Sequence, residues 1–145
     1  KRKPTIRLDT YSLKCEPSIK LLGVVFDSYL SFIPHVNYLQ TKILASTTKL
    51  LNWFHFHFRV SPSHMRQIYH QVILPTITYA APAWWFHCPL SGLRDRVLSL
   101  QRIPLLALTG AYHTTRTAAL HVLANVLPLP IYLDQLCAEF MLFTL

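Results

Sequence analysis

The sequence predicts an α+β fold that is mainly α: a small β-hairpin and strand element followed by about five helices. Up to residue 27 the apolar residues alternate or run continuously, as they do in short strands. From residue 34 onward they recur at steps of three and four, as they do along amphipathic helices. Prolines, serines and one glycine then divide the helical part into separate segments.

The first element is a predicted β-hairpin over residues 6–13, with Asp9-Thr10 as its turn. Residues 19–27 follow as a nearly continuous apolar run rich in β-branched and aromatic side chains. That pattern predicts a strand buried on both faces. Gly23 within it indicates either a bulge or the close approach of another backbone.

A long amphipathic helix is predicted to begin near Pro34. Its apolar face includes Val36, Leu39 and Ile43, and Lys42 and Lys49 share a different face because they are seven residues apart.

The next helix is predicted to start at Ser61-Pro62, where a capping serine precedes a proline at the first helical position. Pro75 should kink or end it, because proline lacks an N–H and clashes with the preceding turn. Residues 79–85 are predicted to form a second buried helical piece.

Three further helices complete the predicted fold. Ser91 caps one that carries Pro104 and ends at Gly110, which is placed as a helix C-terminal glycine. Thr114 or Thr115 is expected to cap the next, and the last begins near Ile131.

Composition favours one domain with a sizeable core and a basic surface. The 145 residues are 52% hydrophobic, and 14 Lys and Arg against 6 Asp and Glu give a net charge of +8. A balance this basic points to a polyanion such as nucleic acid, or else to a surface that is merely kept soluble. Three widely spaced cysteines without a CxxC pair argue against a disulfide framework or a zinc knuckle and favour a reducing compartment.

A membrane-spanning segment is the alternative interpretation of residues 67–93, which contain no Lys, Arg, Asp or Glu. Three prolines interrupt that stretch, so a buried core segment is the better interpretation. The chain opens without Met and stops inside an apolar run, which we interpret as a fragment of a longer protein.

The residues offer little independent catalytic chemistry. The six acids form no DxD or DD pair of the kind that holds magnesium ions, and Asp27 is interpreted as a strand-terminal turn residue. His55 and His57 are two residues apart, which would put them on different sides of a helix, so no metal site is expected. With three glycines in all, no phosphate-cradling loop is expected either, and the chain alone is not predicted to be an enzyme.

The basic residues are therefore the candidate functional groups, because Lys and Arg neutralise phosphates and aromatic side chains stack on bases. For each of them, a solvated surface position is the alternative interpretation, and the tryptophans are more often core residues. The candidate nucleic-acid contacts are Lys20, Lys42, Lys49, Arg59, Arg66, Arg94, Arg96, Arg102 and Arg116.

Several segments in order resemble LINE-type (non-long-terminal-repeat) retrotransposon reverse transcriptases, which are RNA-directed DNA polymerases. Residues 19–36 resemble the family's "kYLGv-hD…LsF…Hi", residues 68–84 "lY…vi.P.ltYaapvW", residues 100–115 "lQr..L..itGayrTt" and residues 119–129 "aL.vlag.pPl". The positions that carry the resemblance are Leu22, Gly23, Asp27, His35, Tyr69, Pro75, Tyr79, Trp84, Gln101, Arg102 and Gly110.

The resemblance implies that residues 1–32 are the end of the palm and that residues 33–145 are the helical thumb and connector region. It implies that the strand with Leu22 and Gly23 lies beside the primer end, and that the helices grip the duplex of RNA template and DNA primer. The rest of the reverse transcriptase chain would be a further partner. The catalytic aspartates and their Mg²⁺ would belong to the missing palm, so no cofactor and no small-molecule ligand is expected in this chain.

The sequence departs from the family pattern at three positions: Leu21 replaces a tyrosine, His113 a common arginine and Asn125 a frequent glycine. The alternative hypotheses are an inactive helical remnant or protein-interaction module, and a membrane-associated basic protein. The leading hypothesis expects no membrane contact and an intracellular location, in the cytoplasm or nucleus.

Overall fold

Two antiparallel hairpins open the chain. The computed structural model describes residues 5–8, 11–14, 16–57, 62–85 and 91–144. Strands β1 (Thr5–Leu8) and β2 (Tyr11–Lys14) pair with Thr5 opposite Lys14, which confirms the first predicted hairpin. Its predicted turn, Asp9-Thr10, lies outside the described residues. Strands β3 (Ser18–Leu21) and β4 (Val24–Asp27) form the second pair.

The prediction of one doubly buried strand over residues 19–27 is wrong. The chain reverses at Leu22-Gly23, where φ is +47° and +89°, so the apolar run is folded into a hairpin. All four residues of β3 are exposed and only Val24 of β4 is buried. Apolar continuity does not show where a chain reverses, and this turn lacks the Asn-Gly or Asp-Gly pair that marks such hairpins in a sequence.

Helices form the rest of the described chain, and the predicted mainly α, α+β class is confirmed. Five of the helical segments have eight residues or more, when the continuous stretch from α2 to α3 is counted as one. The helical segments are α1 (Ile33–His57), α2 (Pro62–Ile68), a π-helical segment (Tyr69–Ile73), α3 (Leu74–Thr78), the short α4 (Ala81–Trp84), α5 (Ser91–Thr109), α6 (Thr117–Ala124) and α7 (Leu129–Thr144).

Pro75 neither ends its helix nor stands inside an ordinary α-helical turn. The five residues before α3 widen into a π-helix, in which the Leu74 N–H donates to the Tyr69 carbonyl five residues earlier. The chain then stays helical through Pro75 to Thr78. Proline occupies the first turn of α3, where its missing N–H has the least consequence.

The sequence predicted the end of one helix correctly and misplaced the starts of two others. Gly110 ends α5 at φ +64° and its N–H donates to the Leu106 carbonyl, so its predicted role is confirmed. Thr114 and Thr115 do not cap α6, because that helix begins at Thr117 and Arg116 holds the capping position without a side-chain hydrogen bond. Helix α7 begins two residues before the predicted Ile131.

One core joins the second hairpin to the helices. Val24, Phe32 and the inward side chains of α1 pack on α4, α5 and α7, and a smaller cluster lies between α5 and α6. Helices α1 and α5 run side by side in the same direction. Arg96 approaches Asn37 near their starts, and Pro104 and Thr47 line a common small cavity further along. This arrangement leaves the hairpin tip beside the first half of α1.

Candidate nucleic-acid interface

The turn of the second hairpin presents an apolar tip. Leu22 is 84% exposed and lies at a positive φ, which costs an L residue roughly 1 kcal/mol. Gly23 lies against the ring of Tyr79, where an added Cβ would stand 3.2 Å from Cε1. The left-handed φ of Gly23 therefore favours glycine, and a Cβ there would also require the Tyr79 ring to shift by a few tenths of an ångström. The reason for glycine is not the bulge or neighbouring backbone expected from the sequence.

A groove of about 490 Å³ opens beside this tip and is called the hairpin groove below. The hairpin forms one wall, α1 forms the second, and the π-helical segment with α3 forms the third. Among the described residues no acidic side chain lines it. Its lining is Leu22, Gly23, His35, Tyr38, Leu39, Lys42, Gln71, Val72, Pro75, Thr76 and Tyr79.

Two lysines make this part of the surface basic. Lys20 on β3 donates a hydrogen bond of 2.9 Å to the Tyr38 hydroxyl, and its ammonium lies 4.3 Å from the ring centroid. That hydrogen bond, with the charges of Lys20 and Lys42, lowers the pKa of Tyr38 below its ordinary value. Lys42 lies on α1 one turn after Tyr38 and is exposed. The groove thus combines cations with a polarised phenol.

His35 joins the helix to the hairpin. It is 1% exposed, and its Nδ1 accepts a hydrogen bond of 3.3 Å from the Val25 N–H of β4. Its ring meets Trp84 edge to face, with 5.1 Å between centroids. Burial lowers the pKa of His35 to about 4, so the ring is neutral at physiological pH and holds β4 against α1.

The remaining basic candidates do not all gather at this groove. Lys49 is exposed on the same face of α1 as Lys42 and extends the row of cations. Arg94 forms an ion pair with Asp134 and stands 5.5 Å over Trp85.

Five arginines complete the candidate set, and four of them lie among the described residues. Arg96 reaches the Asn37 side chain at 3.4 Å, and Arg66 donates to the Ala124 carbonyl at 2.8 Å. Arg116 lies in the loop that follows α5, and the Arg102 guanidinium reaches that loop from the second half of the helix. Arg59 lies outside the described residues.

The positions that carry the resemblance mainly make contacts that hold the helices and strands together. Gln101 is fully buried, donates to the Tyr69 hydroxyl at 2.7 Å and to the Leu127 carbonyl at 3.0 Å, and accepts from the Leu129 N–H at 2.7 Å. Trp84 is also fully buried and donates to the Tyr79 carbonyl.

Asp27 organises the connection from β4 to α1. Its carboxylate accepts hydrogen bonds from the Ser31 hydroxyl at 2.9 Å and from the backbone N–H of Phe32 at 3.0 Å and Tyr29 at 3.4 Å. Burial raises the pKa of Asp27, but these hydrogen bonds outweigh it and the pKa lies below the ordinary value. Its predicted role as a strand-terminal turn residue is confirmed.

The sequence prediction missed Tyr38, Gln71 and Thr76 as groove residues. Tyr38 precedes Lys42 by four residues, so the two share a helix face, and that spacing was the available signal. Nothing in the sequence joined Gln71 and Thr76 to Leu22, because they come together only when α3 packs beside the hairpin.

The groove and its surroundings carry no metal-binding cluster: within the described ranges, no three His, Cys, Asp or Glu side chains gather closely enough to hold an ion. Asp27 and Asp134 are both occupied by hydrogen bonds to neighbouring groups. The acids among the described residues therefore form no cluster that could hold a magnesium ion.

No single helix in the described part of the chain is long and apolar enough to span a membrane. Helices α6 and α7 reach the required length and composition only as a pair bent by 60°.

Comparison with known proteins identifies similar sequences but no matching family model and no matching solved structure. The chain is 32% identical over 136 residues to the retrovirus-related Pol polyprotein from type-1 retrotransposable element R1 4 of Nasonia vitripennis, covering 93% of this chain and 34% of that protein. It is 26% identical to a 115 kDa protein in type-1 retrotransposable element R1DM of Drosophila melanogaster, over 98% of this chain and 14% of the relative. It is 25% identical to the probable RNA-directed DNA polymerase from transposon X-element of the same species, over 81% and 13%. The chain thus spans about a third or less of these relatives.

Proposed function

We propose, from the homology of this chain to polyproteins of LINE-type (non-long-terminal-repeat) retrotransposons, that it is the thumb-side part of an RNA-directed DNA polymerase and binds the primer–template duplex. The observation that carries the proposal is the hairpin groove, where an exposed apolar tip stands beside Lys20 and Lys42 with no acidic side chain among the described lining residues. The polymerase activity is proposed from the names of the relatives, and the contact surface is proposed from the groove.

The proposed contacts are to the nucleic-acid backbone, because a polymerase must hold any sequence that it copies. Lys42 and Lys49 are separated by about 10 Å along α1, so one row of cations can follow successive phosphates. The Lys20–Tyr38 pair would place a third donor at the hairpin wall. Leu22 and Tyr79, which is 57% exposed, would present apolar surface to sugars beside the phosphates.

The proposal assigns residues 1–32 to the end of the palm and residues 33–145 to the thumb and connector. Ile19 and Leu21 project from the same face of β3 and are 64% and 56% exposed, which is the kind of sheet face that another part of a longer chain would cover. The catalytic aspartates and Mg²⁺ would lie in that other part. The polymerase would act inside the cell, in the cytoplasm or nucleus.

The test is binding of the chain to a blunt RNA–DNA hybrid duplex across a salt series. Log affinity is expected to fall linearly with log salt, and Lys42→Ala with Lys49→Ala should lower the affinity and flatten the slope by about 0.9 for each phosphate that is no longer neutralised. Lys42→Arg keeps the charge and should bind as the wild type does. Asn52→Ala, an exposed position on α1, controls for changes to the helix surface.

Two outcomes would contradict the proposal. A folded wild-type chain that binds no hybrid at low salt would make the lysines a solvated face. The same conclusion follows if the double lysine variant keeps both the affinity and the salt slope of the wild type. Either result would favour an inactive remnant or a protein-interaction module.

A further inference from the structure

The loop between α5 and α6, residues 110–116, forms a second exposed surface and is called the tyrosine loop below. Tyr112 at its centre is 85% exposed. Arg116 at its end is exposed, and its guanidinium has no hydrogen-bond or ion-pair partner among the described residues. Residues 110–121 contain no acid, so the only formal charge in this part of the chain is positive.

Arg102 fixes the shape of this loop from α5. Its guanidinium donates to the carbonyls of Thr115 at 2.9 Å and His113 at 2.5 Å, and to the Thr117 hydroxyl at 2.9 Å. The planar fork of arginine suits such a set of acceptors, which the single ammonium of lysine would not reproduce.

Two backbone groups tighten the loop further. The Thr115 N–H donates to the Tyr112 carbonyl at 2.9 Å, and the Ala111 N–H donates to the Thr109 hydroxyl at 3.3 Å. Tyr112 is therefore presented on an ordered backbone, so binding through its ring would lose little loop entropy.

The tyrosine loop is separate from the hairpin groove. Helices α1 and α5 run in the same direction, and Arg96 near the start of α5 approaches Asn37 beside the groove. The loop follows the other end of α5, about 20 Å further along the helix axis at 1.5 Å per residue. A ligand that occupies both surfaces must therefore be extended.

We propose that the tyrosine loop binds a single-stranded stretch of nucleic acid that continues from the duplex in the hairpin groove. Tyr112 stacks on an unpaired base and Arg116 contacts a neighbouring phosphate, while Arg102 is a positioning residue. An unpaired strand is the expected ligand because the faces of bases inside a duplex are already stacked and are closed to a tyrosine ring. The inference rests on the proposed function in that the groove holds the duplex from which the strand extends.

The experiment compares two probes: a blunt RNA–DNA hybrid, and the same hybrid with a single-stranded RNA extension of about ten nucleotides, within the range that single-strand sites occupy. Wild-type protein is expected to bind the extended hybrid more tightly. Tyr112→Ala should lower that affinity by about 5- to 150-fold, as expected when one base no longer stacks on a ring, and leave blunt-hybrid affinity unchanged. Tyr112→Phe keeps the ring and should retain binding, and Phe143→Ala removes an equally exposed aromatic on α7 as the control.

Two further variants test the charge and the positioning role. Arg116→Ala should weaken binding of the extended hybrid and reduce its salt slope by about 0.7, whereas Arg116→Lys should retain both. Arg102→Lys should weaken binding of the extended hybrid alone and also speed amide hydrogen exchange at Thr115, because the loop loses its anchor. Unchanged exchange at Thr115 would remove the positioning role.

The two proposals can fail separately. If Tyr112→Ala and Arg116→Ala bind the extended hybrid as tightly as the wild type, the tyrosine loop is not a nucleic-acid site. That conclusion holds whether or not the hairpin groove binds the duplex. If wild-type protein binds neither hybrid, both proposals fall. If it binds the extended hybrid through Tyr112 but does not bind the blunt hybrid, the loop site stands and the duplex-binding function falls.

Discussion

At the scale of single residues, burial determines how two histidines behave. His35 is 1% exposed and His121 is 8% exposed, and burial lowers the pKa of both. At His121 a hydrogen bond to the Val126 carbonyl partly offsets the effect. Both rings are thus held neutral in the folded chain, whereas the unfolded chain can protonate them freely.

Stability is therefore expected to fall on mild acidification. The pKa of His35 is about 4 when folded and 6.5 as the ordinary value, so its contribution is complete above pH 6.5 and is lost as the pH falls towards 4. The full loss is about 3 kcal/mol at 1.36 kcal/mol per pKa unit. Urea unfolding from pH 7.5 to 3.5 measures it.

His35→Asn should flatten this pH dependence, because asparagine can still accept a hydrogen bond but does not titrate. A residual slope of the same sign is expected from His121. His70→Asn, at an exposed position, is the matched control and should leave the slope unchanged. An equally steep slope in His35→Asn would show that other groups control the acid sensitivity.

At the scale of elements, one amide side chain joins three helical segments. Gln101 of α5 contacts Tyr69 of the π-helical segment and both Leu127 and Leu129 at the start of α7. Both amide protons and the amide oxygen are used, so no polar atom of this buried group is left unpaired. The hydrogen bonds set where α7 begins relative to α5, which periodicity along either helix cannot do.

Gln101→Leu is expected to lower the free energy of unfolding by about 2–5 kcal/mol, because three buried polar groups lose their partner. Tyr69→Phe removes only one of these hydrogen bonds and should cost about 1 kcal/mol. The double variant should be less destabilised than the sum, since the Tyr69 hydroxyl is no longer left unpaired. Strictly additive losses, measured by urea unfolding, would mean that the two side chains do not act as one joint.

At the scale of the whole molecule, the core is closed on the helical side and open at the strands. Trp84, Ile77 and Leu105 are fully buried, whereas Ile19 and Leu21 leave an apolar face of β3 uncovered. A two-stranded hairpin with an uncovered apolar face adds little stability by itself. Helix α7 also leaves Leu142 and Phe143 exposed.

The folded chain is accordingly expected to have marginal stability and to bind a hydrophobic dye before it unfolds. Ile19→Lys with Leu21→Lys should reduce dye fluorescence without lowering the melting temperature, because these side chains make few native contacts. Leu142→Lys with Phe143→Lys is the matched comparison on α7 and measures its share of the signal. A sharp thermal transition with no dye binding by the wild type would contradict the expectation.

Much of the fold could be predicted from the sequence because its signals are local. The period of three and four residues after Pro34 identified α1, and Gly110 marked the end of α5 because few other residues adopt its backbone conformation at low cost. Asn125 ends α6 in the same left-handed region at φ +52°, a conformation that asparagine adopts more readily than most L residues. The positive net charge follows from the composition, and the resemblance to reverse transcriptases follows from the order of the residues.

The tertiary structure alone decided how those residues combine. An apolar run from residue 19 to residue 27 is compatible with one buried strand or with two short ones, and the packing of Gly23 on Tyr79 accompanies the second. Likewise, the sequence around Lys42 and Arg102 does not show that their roles differ. Lys42 faces an open groove, whereas Arg102 donates hydrogen bonds to the carbonyls of a loop. The physical reason is that the role of a side chain depends on which groups long-range packing places beside it, whereas the sequence encodes directly only its own chemistry and that of its near neighbours.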